Sequence, residues 1–159
     1  MIATKMLHPV TFFEFLTPPQ LRAIAGISNE VSYESGDYVF RENEYAKELC
    51  VLVQGSIDLF FTVDVEYHPE LHKELLFSEI SPGEMFGVSA LIEPHILTSS
   101  ARASRPSQVI KIDRLGLQAL CDHDEQFANG LMHQVAKTTL ERLNATRLQL
   151  AAVWSTTTV

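Results

Sequence analysis

Between residues 30 and 112 the chain is written in short β-type runs closed by turn residues, and no other feature constrains the fold as much. Val31-Ser32-Tyr33 precedes Ser35-Gly36-Asp37, and Tyr38-Val39-Phe40 precedes Glu42-Asn43-Glu44. Residues 49–53 are apolar without interruption, as in a strand covered on both faces. Gln54-Gly55-Ser56 reads as a turn into Ile57, Leu59, Phe61 and Val63, which alternate with Asp58, Thr62 and Asp64. That period of two marks a strand with one face on a core, and Phe60 breaks it. The polar residues 66–74 predict a loop, and Leu75-Leu76-Phe77 the next strand. Residues 98–103 are expected to pair with 109–112 across a turn at Arg105-Pro106-Ser107. Short strands at this regular spacing predict a jelly roll or β-barrel sandwich.

Helical periodicity brackets the strands. Phe12, Phe13, Phe15, Leu16, Leu21, Ile24 and Ala25 recur at helical spacing, and Thr17-Pro18-Pro19 fits an N-cap followed by first-turn prolines. After Asp113 the helical period returns and runs to about Val153, with Gly116 and Asp122-His123-Asp124-Glu125 dividing it. Asp122 or Asp124 is expected to cap the last helix, and the tail 155–159 to fray. The chain therefore reads as a single domain. Residues 1–27 are its helical start, 30–112 the β roll, and 113–154 its closing helices.

The last helix, 122–154, carries two apolar faces in succession. Ala128, Leu131, Met132 and Val135 suit packing on the roll. Met132, Ala136, Leu140, Leu143, Leu150 and Trp154 then follow a three/four spacing interrupted by Arg147. A seam of this kind is what a two-stranded coiled coil buries, so Ala136, Leu140, Leu143 and Leu150 are expected to form a homodimer interface. The same face could instead cover the chain's own core, but so long a helix overshoots a roll of this size.

Composition narrows the function. The 159 residues carry a net charge of −8, and their five lysines and seven arginines are scattered, which argues against a nucleic-acid surface. Cys50 and Cys121 lie in apolar patterns and read as buried free thiols in a reducing compartment. No segment approaches the roughly 18 apolar residues of a membrane-spanning helix. The first residues lack a secretory pattern, because His8, Pro9 and Glu14 interrupt them. The chain is expected to be cytoplasmic.

The stretch Ile80-Ser81-Pro82-Gly83-Glu84-Met85-Phe86-Gly87-Val88-Ser89-Ala90-Leu91 is the chemical centre of the sequence. A strand ends, a Pro-Gly turn follows, and a tight glycine leads into a short apolar helical turn. Glycine before a helix start lets backbone N–H groups approach an anion, so the layout is that of a phosphate cradle.

In that order and spacing, four fragments resemble the cyclic nucleotide-binding domain family. They are Gly36-Asp37-Tyr38-Val39-Phe40, Glu42-Asn43-Glu44-Tyr45-Ala46, residues 49–57, and Ile80 through Gly87. The resemblance implies a fold that is mainly β with flanking helices, a double-stranded β-helix (jelly roll) followed by a long C-terminal helix. It also implies a regulatory, non-enzymatic role. Asn43 stands where the family has glycine, and Asn tolerates positive φ. The ligand-holding residues depart further. The glutamate that holds the ribose is replaced by Val88, and the arginine that forks onto the cyclic phosphate by Leu97, or by Thr98 if the loop slips one place. Arg102 has the wrong strand parity to substitute and is expected in solvent.

The candidate pocket is therefore Phe86, Gly87, Val88, Ser89, Ala90, Leu97, Thr98 and Ser99, a degenerate cassette with neither anchor. Removing one member of a buried charge pair costs about 2–5 kcal/mol, and a helix dipole contributes only about 0.3–1 kcal/mol. The expected function is a sensor domain signalling through movement of its C-terminal helix. The alternatives are residual cyclic AMP or cyclic GMP binding through backbone amides, or a ligand-free dimerisation module. In the family's transcription factors a DNA-binding unit follows this helix; this chain alone is not expected to bind DNA or membrane.

Other chemistry is poorly supported. Metal cupins need closely spaced histidines on one strand, and His8, His68, His72, His95, His123 and His133 include no such pair. His68 and His72 read as loop histidines, and Cys121-Asp122-His123-Asp124 as helix capping. His95 could line the rim of an occupied roll, but an exposed loop histidine is the simpler reading. Glu84 and Glu93 read as turn residues, with no nucleophile or oxyanion hole beside them. No catalytic residue, metal site or cofactor is expected; a cyclic nucleotide or another small molecule is the candidate ligand.

Overall fold

The computed structural model describes residues 1–66 and 68–157. Two single helical turns, Thr4–Met6 and Thr11–Phe13, lead into α1 (Pro18–Gly26). Strands β1 (Ser28–Tyr33), β2 (Tyr38–Phe40), β3 (Glu48–Val65), β4 (His68–Ile80), β5 (Met85–Phe86) and β6 (Ser100–Asp113) follow. Helices α2 (Arg114–His123) and α3 (Glu125–Thr157) close the chain. The jelly-roll sheet is antiparallel and runs β1-β6-β3-β4, with β2 also paired to β6 and β5 to β3.

Two cores share the central strands. On β3, Leu49 and Val51 face the helices while Cys50 and Leu52 face the interior of the roll, which is why residues 49–53 show no polar gap. On β6, Ile110 and Ile112 join the helix side, and Ala101, Ala103 and Val109 the interior. Cys50 is a buried free thiol whose pKa burial pushes up to about 12, so it is inert at neutral pH. Cys121 is only half-buried.

Two expected turns are bends within paired strands. Strand β6 runs through Arg105-Pro106-Ser107 and β3 through Gln54-Gly55-Ser56. The two stay paired from Glu48↔Asp113 to Phe60↔Ser100, with register shifts between Leu52 and Ile57. Both strands bend together there, folding one ladder over into a roll. Gly55 makes the bend possible at φ 104°, where a Cβ would lie 2.2 Å from Ser107 Oγ and 2.7 Å from the Pro106 carbonyl. Ser107 stitches the corner, its hydroxyl accepting from the Ser56 amide at 3.1 Å. The break at Phe60 is a further register shift between Leu59 and Phe60, which leaves both side chains buried.

The predicted loop over 66–74 is a strand for most of its length. A polar β-ribbon extends β3 and β4, with Thr62↔Glu74 and Asp64↔His72 paired. Its side chains are largely solvated, so period-two burial is missing, and polar pairs such as His72 Nδ1 with Asp64 Oδ1 at 2.8 Å hold it instead. His68 lies beside Glu70 at 3.3 Å, and no cluster of metal-binding side chains forms among the described residues. Among those residues, no helix is long and apolar enough to cross a membrane.

The caps agree with their sequence. Thr17 and Gln20 form a capping box on α1, with Pro18 at the first helical position. Asp124 caps α3, Oδ1 accepting from the Phe127 amide at 2.9 Å, and Oδ2 accepts from Gln20 Nε2 at 2.8 Å. These bonds hold its carboxyl below the usual carboxylate range. Helix α3 packs on the body through Phe127, Leu131 and Val135. It continues regularly through Thr157, so the expected fraying is absent from 155 to 157; residues 158 and 159 lie outside the described residues.

Two expectations follow. Gly55→Ala should destabilise the protein by about 2–5 kcal/mol, combining positive-φ strain with overpacking. Gly36→Ala, at φ 93° with nothing within 4 Å of a Cβ, should lose only the strain component. Equal losses in urea melts would contradict the corner argument. For Asp124, a depressed folded pKa means stability present above the unfolded carboxylate pKa and lost as pH falls through the folded one. The deficit of Asp124→Ala at neutral pH should therefore shrink in acid, as read by thermal melts across the acidic range.

Candidate functional site

The cradle is anchored to β3 by its backbone. Gly83 N donates to Leu52 O at 2.8 Å, and Leu52 N donates to Glu84 O at 3.0 Å. Glu84 closes the turn, its carboxylate accepting from the Ser81 amide at 2.7 Å, which gives this glutamate a structural role. Strand β5 then lies against Cys50 and Val51. Gly87 follows in the left-handed region at φ 74° and ψ 32°. A Cβ on Gly87 would sit 3.2 Å from the Phe40 ring and 3.4 Å from the Glu48 carbonyl. The expected short helical turn is a single 3₁₀ turn, Val88–Ala90, too short to carry an appreciable dipole.

A second set of backbone bonds folds the loop back. Asn43 takes φ 66°, as its place in the turn requires, and its amide donates to Leu97 O at 2.8 Å. Leu97 N donates to Glu44 O at 2.9 Å, and Ala46 N to His95 O at 2.7 Å. His95, at φ 60°, turns its ring inward: Nδ1 lies 3.2 Å from Ser89 O, and the ring meets Tyr45 edge-on at 6.2 Å. It is a half-buried loop strut, which corrects the reading of an exposed histidine.

The candidate residues divide sharply. Phe86 and Ala90 are buried, and Leu97, at 4% exposure, packs in the helix-side core. Gly87, Val88, Ser89 and Ser99 are half-buried, and Thr98 is exposed. Ser100, just beyond, is buried with its hydroxyl accepting from the Glu42 amide at 3.0 Å. The polar groups offered are thus the hydroxyls of Ser89, Thr98 and Ser99 and the amides around Gly87.

The nearby cations are engaged elsewhere. Arg41 stacks over Tyr38 at 3.7 Å, and Arg114 over Tyr45 at 5.1 Å. Lys111 lies 3.7 Å from Glu48. Arg102 points away from the interior, as its parity required, since Ala101 and Ala103 face inward. It is not simply solvated: its guanidinium covers the Phe60 ring at 4.5 Å and reaches Glu74 at 3.4 Å. Among the described residues, no lysine or arginine side chain hydrogen-bonds any of residues 86–99.

One cation escaped the sequence reading. Arg142, on α3, donates to the carbonyl of Met85, two residues before Gly87. The signal was present in the body-facing register of α3, where Phe127, Leu131 and Val135 are continued by half-buried Thr138 and Arg142.

Comparison with known proteins agrees with this geometry. The sequence profile of the cyclic nucleotide-binding domain matches residues 30–124. A solved protein from Geobacter metallireducens GS-15, provisionally described as cyclic nucleotide-binding, is 36% identical with a TM-score of 0.78, covering 90% of this chain and 99% of that one. The cGMP-dependent protein kinase egl-4 of Caenorhabditis briggsae is 26% identical over 109 residues, 68% of this chain and 14% of that protein. The CRP-like cAMP-activated global transcriptional regulator of Mycobacterium tuberculosis is 23% identical over 147 residues, 92% of this chain and 61% of that protein. The chain thus spans a small part of the kinase and under two thirds of the regulator. With its roll and cradle matched by the profile, and nine-tenths of its length by a relative of nearly equal size, this chain belongs to the cyclic nucleotide-binding domain family.

Proposed function

We propose that this domain is a regulatory sensor whose cassette has lost its grip on cyclic nucleotides and whose output passes through α3 to a second copy. One observation carries the first half: the position expected to hold a phosphate-binding guanidinium is Leu97, packed into the helix-side core, or after a one-residue slip Thr98, exposed and uncharged. Val88 replaces the expected ribose-binding carboxylate. A cyclic phosphate entering this cradle would meet hydroxyls and amides but no counter-charge. Such donors hold it far more weakly than a directed guanidinium fork.

The second half rests on the exposed face of α3. Leu140 is 58% and Leu143 46% exposed, and with Ile92, Met132 and Ala136 they line an apolar groove. Leu150 continues the face beyond the body at 57% exposure. A run of large apolar side chains in solvent at three/four spacing is favourable only if another surface covers it, and a second α3 has the matching shape. The groove places Ile92, just past the cradle's helical turn, beside that seam.

Fluorescent cyclic AMP and cyclic GMP should show no saturable binding to the wild-type protein in polarisation titrations. Val88→Glu combined with Thr98→Arg, or with Leu97→Arg, should restore it. The gain from a buried charge pair is about 2–5 kcal/mol, roughly 30-fold to several-thousand-fold. Leu97→Arg should also lower the melting temperature, because it places a charge in the core. Tight binding by the wild type, or no gain in either double variant, would overturn the lost-grip reading. Separately, Leu140→Glu with Leu143→Glu should convert a dimer to a monomer in sedimentation velocity; an unchanged mass would remove the seam.

A further inference from the structure

The site that most needs a partner is the cleft around Arg142. A cavity of about 550 Å³ lies between α3, the end of β4 with the turn into β5, and the N-terminal turn Thr11–Phe13. None of residues 86–99 lines it. Arg142 is half-buried in its wall, yet its only hydrogen-bonded partner among the described residues is the neutral carbonyl of Met85. No carboxylate there comes within 4.0 Å of it. Every buried side-chain nitrogen among the described residues has a partner, so the donors Arg142 does not spend on Met85 are open to the cleft. Burial holds its pKa below the ordinary arginine value, partly offset by Glu84.

The rest of the lining sets what can enter. Lys137 adds a second cation, while Glu14, Glu79, Glu84 and Glu141 bring carboxylates. Two of these are committed, Glu84 to the Ser81 amide and Glu79 to Ser56 Oγ at 2.7 Å. Glu14 and Glu141 are exposed and unengaged in the hydrogen bonds and ion pairs of the described residues. With four carboxylates against two cations, this set repels a polyanion, and a lone cation would leave the open donors of Arg142 without an acceptor. A molecule bearing one carboxylate and one ammonium group matches both. The volume suits a small molecule with its water.

We infer that this cleft binds a small zwitterion of the amino-acid type, its carboxylate on Arg142 and its ammonium toward Glu14 and Glu141. A charge-assisted bond to carboxylate is roughly twice as strong as one to a neutral carbonyl, so the ligand competes with Met85 for the guanidinium. Occupancy then releases the link between α3 and the strand entering the cradle. Binding itself does not depend on the sensor reading; only its output does.

The standard amino acids serve as probes of the 159-residue chain, with acetate and methylammonium as their separate halves. The readouts are the Arg142 Nε–H and Met85 amide resonances and the melting temperature. At least one amino acid should shift both resonances saturably and bind at least about tenfold more tightly than acetate. Arg142→Gln should weaken it about tenfold or more, and Glu141→Gln, on the exposed surface, should weaken the amino acid but not acetate. No saturable shift with any of them, or full affinity in Arg142→Gln, overturns the inference. Cyclic nucleotide titration of the cassette reports separately, so either reading can fail while the other stands.

Discussion

The pairing of β3 with β6 along nearly their whole length is the constraint on which the rest of this structure depends. Because both strands bend at the same place, one continuous ladder supplies two facing walls and encloses an interior between them. The bend demands that the backbones of Gly55, Pro106 and Ser107 nearly touch, and a residue without a side chain is the solution at Gly55. The same ladder separates two hydrophobic cores by side-chain parity alone. It also fixes the cradle, since β5 hangs from β3 and the loop after it runs directly into β6.

That anchoring explains how a cradle keeps its shape without its charges. The left-handed Gly87 and the bonds from 43–46 to 95–97 are held by backbone geometry, and the turn at 81–84 by the Glu84 carboxylate on the Ser81 amide. None requires the side chains that would contact a sugar or phosphate. Backbone shape and ligand chemistry are therefore separable here, and Val88 and Leu97 occupy their places without disturbing the cradle's backbone. The arginines near the mouth find aromatic faces instead: Arg41 lies on Tyr38, Arg102 on Phe60 and Arg114 on Tyr45.

What could be read from the sequence was what is local. The Thr17 cap, the Asp124 cap, the double-faced run at 49–53 and the odd residue at Phe60 all express forces acting within a few positions. The misreadings were non-local. Gly55 and Pro106 have turn chemistry, and only their opposition across a ladder reveals a shared bend. Residues 70–74 lack alternating burial because that ribbon stands in solvent, so polar cross-strand pairs replace the usual signal. Arg142 was hidden for a related reason. Apolar spacing draws attention to the exposed leucines of α3, whereas the body-facing register turns polar just where it reaches the edge of β5.

Helix α3 brings these threads together within about one turn. Leu140 and Leu143 lie on the solvent side, and Arg142 between them faces the body and the Met85 carbonyl. An α-helix transmits rotation and translation along its axis because its hydrogen bonds resist local bending. A group that draws Arg142 away from Met85 changes the seating of the same turn that presents the leucines. Conversely, a partner covering the leucines favours whichever seating its own surface fits, and thermodynamic linkage makes the two effects equal in free energy. On the proposed reading of the cassette, losing the phosphate does not end regulation in such an architecture, because the tether between α3 and the strand entering the cradle is in place for another ligand to act on.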